Sequence, residues 1–250
     1  MGEMRKCEDE KFARSEALLG NGAMKRLKAA RVLVVGVGGV GSWCAEALVR
    51  TGLGHITLMD DDVVAESNVN RQCPATAATI GRPKVEAMAE RLRAINPQAD
   101  VIARFERFER FERLEKCEGC ERSDLVVDAI DRVDCKAELI LGATEAGVPL
   151  VSSMGAALRL DPTKVKVTRF EKVEGDGLAR ALRQRFKKIE RFPRAKFSCV
   201  WSTEPIHGNQ AIKQSNNQTI SKGSLMQVTA VFGMCLASEA IKILTKGETK

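Results

Sequence analysis

Along the chain, apolar runs and helical stripes alternate in a regular order. Residues 15–27 carry Ala17, Leu18, Ala23, Met24 and Leu27 at helical spacing, with Gly20 and Gly22 inside the pattern, and predict a helix. Residues 31–35 (RVLVV) are nearly all apolar and mostly β-branched, which suits a strand buried on both faces. The run Gly36-Val37-Gly38-Gly39-Val40-Gly41 follows, then a helical stretch over 42–51 and an apolar strand over 55–59 ending on Asp60. Further strands are expected at 100–103, 124–128 and 149–152, with helices at 84–95 and 133–146. Gly81-Arg82-Pro83-Lys84 opens the helix that runs to about Ile95, with Pro83 as a first-turn residue, and Asn96-Pro97 stops it. Such alternation predicts an α/β fold, a Rossmann-like, doubly wound, mostly parallel sheet.

Beyond residue 158 the pattern changes. Residues 164–170 (KVKVTRF) alternate with period two, which predicts an antiparallel strand exposed on one face. Another short strand is expected over 198–201, and the Asn-, Gln-, Ser- and Gly-rich stretch 207–223 reads as a mobile loop. A closing helix from Leu225 can lay Val228, Val231, Phe232 and Leu236 against the sheet. The expected organisation is an N-terminal helical arm (1–30), a nucleotide-binding part (31–157) and a C-terminal antiparallel extension (158–250) within the same domain.

Strand, glycine turn, helix, strand and acid, with Asp60 lying 19 residues beyond Gly41, form a nucleotide-binding βαβ unit. Glycines let the backbone approach a phosphate, and a helix N-terminus presents unpaired N–H groups to it. Asp60 can accept from ribose hydroxyls. The polar excursion 60–84 lies where a doubly wound sheet puts its ligand, outside the carboxyl ends of the strands. There Asn68, Asn70 and Arg71 suit phosphate oxygens, and Lys84 stands at a helix start pointing back toward the crevice. Asp128 and Asp131 should hang over the same strand ends, where a carboxylate can hold Mg²⁺ on a triphosphate or cap the following helix.

Charge adds a second theme. The chain has 250 residues and a net charge of +7, and residues 178–197 hold eight cations against the single anion Glu190. That excess, which includes Arg180, Arg183, Arg185, Lys187 and Lys188, calls for an anionic partner. Aromatics make up only 4%, with no Tyr, which argues against base-stacking platforms. The start, MGEMRKCEDEKF, has no apolar core, so the eight cysteines are expected as reduced thiols in the cytoplasm. Gln227, Glu239 and Lys242 interrupt the longest apolar tract, 225–244, which therefore reads as a packed helix rather than a membrane span. Phe105, Phe108 and Phe111 recur every three residues in RFERFERFER and suggest a helix with one buried stripe. Cys117 and Cys120 form a lone CxxC without the second pair a zinc ribbon needs.

The ordered motifs GVGGVGS, ITLMDDD, SNVNRQ, GRPK and DAID resemble the E1-like adenylating superfamily, which includes the activators of molybdopterin and thiamin sulfur carriers. Within it, RTGLGHITLMD, INPQ, VVDAID, LDPTKVKVT and CVWSTEP look most like the tRNA threonylcarbamoyladenosine dehydratases. The resemblance implies ATP with Mg²⁺, a homodimer, and a tRNA anticodon stem-loop as substrate, with a sulfur-relay protein as a candidate partner. It implies that Gly36, Gly38, Gly39 and Gly41 line the phosphates and adenosine, and that Asp60 binds the ribose. Asn68, Arg71 and Lys84 would contact the phosphates, with Lys84 stabilising the α-phosphoryl transition state. Asp131 would sit on or beside the Mg²⁺. Arg14, which spacing alone leaves as a surface cation, would reach the neighbouring subunit's nucleotide. The basic segment would hold RNA phosphates, and the reaction would cyclise N6-threonylcarbamoyladenosine at tRNA position 37.

Three other readings compete. Adenylation of a ubiquitin-like or sulfur-carrier C-terminus would use Cys199 as acceptor, although a buried strand cysteine is the simpler reading of that residue. An NAD-dependent oxidoreductase would satisfy the glycine motif but not the phosphate-side cations. A tRNA-binding module without catalysis would satisfy the basic segment alone.

Overall fold

The computed structural model describes residues 9–111, 123–208, 212–213, 219–220 and 222–246. Its centre is β1 (Arg31–Val35), whose last four residues are buried. β2 (His55–Asp60) runs parallel on one side, and beyond it β3 (Asp100–Phe105). On the other side lie β4 (Leu125–Asp128) and then β5 (Leu150–Ser153), both parallel. β6 (Val165–Arg169) and β7 (Ser198–Ser202) complete a seven-stranded sheet of order β3-β2-β1-β4-β5-β7-β6. β7 inserts parallel to β5, and β6 is the one antiparallel strand, paired to β7 at the edge. The expected α/β sheet with a C-terminal antiparallel extension is what forms.

Both faces are covered because the strands are apolar on both sides. Val32, Val34, Ile56, Leu58, Val127 and Val151 pack beneath α2 (Asn21–Ala29), α3 (Gly41–Thr51), α4 (Lys84–Ile95) and α7 (Met226–Thr245). The alternate residues Leu33, Val35, Met59, Val126 and Leu150 meet α5 (Val133–Glu145) and α6 (Gly177–Ile189). Period-two alternation thus feeds two cores, as in doubly wound sheets.

Several elements differ from expectation. The 15–27 helix is two, α1 (Ala13–Leu19) and α2, because Gly20 takes φ +82 between them. Pro83 lies one position earlier than expected, as the N-cap of α4 with extended ψ. The Phe repeat is not a helix. Phe105 ends β3 and is exposed, Phe108 is buried in the α5/α6 core, and Phe111 presses on Gly142 of α5. Cys117 and Cys120 lie outside the described residues. Within 207–223 the described part includes a two-stranded antiparallel pair, β8 (Ile212–Lys213) with β9 (Thr219–Ile220).

α7 is long and apolar enough to cross a membrane by composition, but it packs against α3 and the sheet through buried Val228, Phe232 and Leu236. Val231 is only half-buried. A Cβ at Gly233 would come within 2.6 Å of the Val40 carbonyl, so this glycine sets how closely α7 backs the turn after β1.

Candidate active site

A cleft of about 710 Å³ opens at the carboxyl ends of β1 and β4, the point where the strand order reverses. The glycine turn forms its floor. Gly36 takes φ +92, and a Cβ there would strike the Ala129 carbonyl at 2.7 Å. A Cβ at Gly41 would lie 1.9 Å from the Gly36 carbonyl, so these two glycines close the turn on itself. Gly38 differs, because its nearest neighbour would be Gln72 Nε2 at 3.8 Å, leaving its surface open to the cleft. α3 starts at Gly41 with Val40 as N-cap and no side-chain cap. The Ser42 amide turns back to the Gly38 carbonyl at 3.2 Å, while the Gly41 and Trp43 amides have no described backbone partner and can meet an anion.

Three consecutive acids begin with the last residue of β2, and each has a different partner. Asp60 accepts from the Val37 amide at 2.6 Å and the Asp62 amide at 2.9 Å, and burial pushes its carboxyl above the usual range. Burial also pushes Asp61 up, but hydrogen bonds from Arg107 and Arg132 outweigh it and hold that carboxyl low. Asp62 receives Lys84 Nζ at 2.7 Å. Lys84 is placed by backbone pairing across the excursion, since its own amide donates to the Asp62 carbonyl and Val63 bridges Pro83.

Arg71 also lines the cleft. Nη1 donates to the Ser67 carbonyl and to Asn70 Oδ1, each at 2.9 Å, and Trp43 Nε1 donates to the Arg71 carbonyl. No described carboxylate pairs with its guanidinium, and burial lowers its pKa, two conditions that favour an incoming anion. Asn68 is buried, with Oδ1 accepting from the Ala65 amide, and its residue still lines the cleft. Asn70 instead donates to the Ser224 carbonyl and tethers the excursion to the start of α7.

The two acids at the end of β4 and in the loop after it separate. Asp128 does not hang over the cleft: it is fully buried, with Lys136 Nζ at 2.8 Å, Ser152 Oγ at 2.7 Å and the Ile130 amide at 3.2 Å. Lys136 also donates to the Ile130 carbonyl, so this buried pair fixes the loop that packs on Gly36. Asp131 lines the cleft, exposed, with no described hydrogen-bond or ion-pair partner. The N-cap of α5 is Arg132, so Asp131 is not occupied in capping. Among the described residues, the carboxylates whose oxygens lie close enough together to share a cation are Asp60, Asp61 and Asp62, of which Asp61 and Asp62 are paired to Arg and Lys, and Asp131 is not among them.

Residues 12–250 match the ThiF family. The chain belongs to that family. It is 36% identical over 250 residues to the tRNA threonylcarbamoyladenosine dehydratase of Escherichia coli, covering 93% of this chain and 92% of that one. The solved structure of that dehydratase in complex with ATP superposes with a TM-score of 0.82 at 37% identity, over 94% of this chain and 93% of that chain. Its complex with AMP superposes with a TM-score of 0.84 at 36% identity, over 96% and 97%.

In this ThiF-family chain the cleft thus gathers Gly36, Gly38, Gly39, Asp60, Asn68, Arg71, Lys84 and Asp131. Gly41 shapes the turn from behind. Arg14 is exposed on α1 and does not line the cleft of its own chain. Gln72 is an unanticipated member, with a buried Oε1 that has no hydrogen-bond partner beside Gly38. Its one signal in the sequence was adjacency to Arg71 in SNVNRQ.

The first part of the basic segment, up to Ile189, forms α6, whose Ala179, Leu182 and Phe186 are buried. Arg180, Lys187 and Lys188 point to solvent. Arg183 does not: Nη2 donates to the Phe170 and Val173 carbonyls, and its guanidinium covers the Phe170 ring at 5.0 Å. Arg185 is half-buried and pairs with Asp134 at 2.9 Å. Cys199 is fully buried on β7, and burial pushes its thiol well above the usual range, the opposite of an activated nucleophile.

Proposed function

We propose that this chain catalyses ATP-dependent dehydration of N6-threonylcarbamoyladenosine at position 37 of tRNA, acting in the cytoplasm. The observation carrying this reading is the convergence on one cleft of an uncapped helix start, an open glycine turn and two cations, Arg71 and Lys84, in a chain with dehydratase relatives. The triphosphate lies along Gly38, Gly39 and the first turn of α3, with the ribose toward Asp60. Lys84 and Arg71 bind phosphate oxygens, and Lys84 follows the charge that develops on the α-phosphoryl group. Asp131 would hold Mg²⁺, which would neutralise triphosphate charge.

A threonyl carboxylate oxygen attacks the α-phosphorus, the bond to the β-phosphate breaks, and pyrophosphate leaves. The acyl-adenylate converts a poor leaving oxygen into AMP. The carbamoyl nitrogen then attacks the acyl carbon, AMP departs with the former carboxylate oxygen, and the nitrogen's proton passes to solvent. Because nucleophile and acyl group share one molecule, effective molarities of about 10⁵–10⁸ M are available to this step without a protein nucleophile. That agrees with a buried, unactivated Cys199, which gives adenylation of a carrier protein with thiol capture no support.

Arg180, Lys187 and Lys188 hold RNA phosphates as a solvent-facing row. In a homodimer, Arg14 reaches the partner's nucleotide, in line with its exposure and lack of a described ion-pair partner. The test is incubation with ATP, Mg²⁺ and modified tRNA. AMP formation with loss of one water from the nucleoside supports the proposal, and an unchanged nucleoside contradicts it.

A further inference from the structure

Past the glycine turn the cleft continues into a second lobe, between the residues after β5 and the start of α6, lined by Gly155, Leu158, Arg159, Asp176, Gly177 and Ile206. At its wall stands Arg159, 2% exposed, with a buried Nε that has no hydrogen-bond partner. Its one ion-pair contact among the described residues is Asp176 Oδ2, at 3.9 Å from Nη2. Asp176 supplies a buried counter-charge but is held off at that distance by its other bonds: Oδ1 accepts from the Ala179 amide at 2.9 Å as the N-cap of α6, and Oδ2 from the Gly155 amide at 3.2 Å. A guanidinium carries five donors in a fixed fork, so a buried one left this incompletely paired calls for an anionic oxygen.

The backbone holding Arg159 is fixed on both sides. The Leu158 amide donates to the Gly223 carbonyl at 2.9 Å, and the Leu158 carbonyl accepts from the His207 amide at 3.0 Å. Leu158 takes φ +61 there, a conformation L side chains seldom adopt, and the following Leu160 and Asp161 amides both donate to Glu204. Arg159 is thereby presented to the cleft by a pinned loop rather than left to wander over the surface.

We propose that this second lobe binds the acyl substrate and that Arg159 donates to its carboxylate, orienting the nucleophilic oxygen toward the nucleotide on the glycine turn. The inference rests on the function proposed above and assigns the site of its second substrate, an amino-acid urea attached to a nucleoside. Binding is electrostatic and forked, so a carboxylate is recognised and an uncharged ester or alkyl group in its place is not.

The test compares wild type, Arg159→Ala and Arg159→Lys on tRNA bearing N6-threonylcarbamoyladenosine, with ATP varied separately. For Arg159→Ala, kcat/KM for the tRNA should fall by about 30-fold while nucleotide affinity, read by AMP titration, stays within about twofold. Arg159→Lys should recover part of the loss, since it keeps the charge without the fork. A purely structural role would instead lower Tm and weaken nucleotide binding alongside. An Arg159→Ala enzyme that cyclises the tRNA normally overturns this inference alone, as does a loss of nucleotide affinity equal to the loss on tRNA. A wild-type enzyme that leaves the modified nucleoside unchanged overturns the functional proposal, and this inference with it.

Discussion

Lys84 Nζ lies 2.7 Å from Asp62 Oδ2, and the two side chains differ sharply in exposure, 6% for the lysine and 66% for the aspartate. The cation is fixed from within while its counter-ion stands in solvent. A triphosphate arriving in the cleft can therefore replace Asp62 as the counter-charge without leaving the buried ammonium unpaired. Lys84→Ala should lower turnover by at least about 100-fold, with tRNA retention on filters unchanged. Asp62→Asn should leave most activity. Full cyclisation by the alanine variant would remove Lys84 from the mechanism.

Asp128 and Asp131, three residues apart, should fail in opposite ways. Asp128→Asn leaves the fully buried Lys136 ammonium without its counter-charge, a loss of about 3–5 kcal/mol readable in denaturant titrations. Asp131→Asn removes an exposed, unpaired carboxylate, so stability should hold while turnover collapses and the Mg²⁺ needed for half-maximal rate rises. A stable Asp128→Asn protein would contradict the first half, and an unaltered Mg²⁺ response in Asp131→Asn the second.

On α6, reversing the charge of Arg180, Lys187 and Lys188 should weaken tRNA binding and flatten its salt dependence, by about 0.7–0.9 in log–log slope for each RNA phosphate no longer neutralised. ATP binding should not change. Arg183→Ala should act on stability instead, since that guanidinium satisfies two carbonyls. Equal salt slopes for wild type and the reversed variant would place the RNA elsewhere.

Acid sensitivity should trace to Glu46. Burial alone would raise its carboxyl, but hydrogen bonds from Arg91, Cys73 and Arg50 outweigh this and hold it at about 2. A value depressed on folding stabilises the native state above the unfolded pKa of about 4.3, by about 3 kcal/mol, and that stability is lost as pH falls toward 2. The urea midpoint should drop between pH 6 and pH 3, and much less so in Glu46→Gln. Identical drops in both proteins would assign the sensitivity to other groups.

Features set by local chemistry were legible in the sequence, and those set by distant partners were not. The glycine turn, the acid closing β2 and the β-branched strands follow from short-range chemistry, and each is where the pattern put it. The antiparallel β6 followed from its period-two spacing. The fate of Asp128 did not, because it depends on Lys136 and Ser152 arriving from α5 and β5. Arg183 looked like its cationic neighbours, yet the α6 face it occupies turns it toward Phe170. The Phe repeat misled for the same reason: its period of three matched a helix, while Phe108 and Phe111 pack on separate parts of the α5 side. Arg159 carried no local signal, since only the folded loop buries it.

The central claim is that the threonyl carboxylate attacks the α-phosphorus of ATP, and isotope transfer tests it most directly. With tRNA whose threonyl carboxylate carries ¹⁸O, the AMP released should acquire one labelled oxygen for each nucleoside that loses water. Unlabelled AMP, or dehydration accompanied by ADP and phosphate, would contradict it.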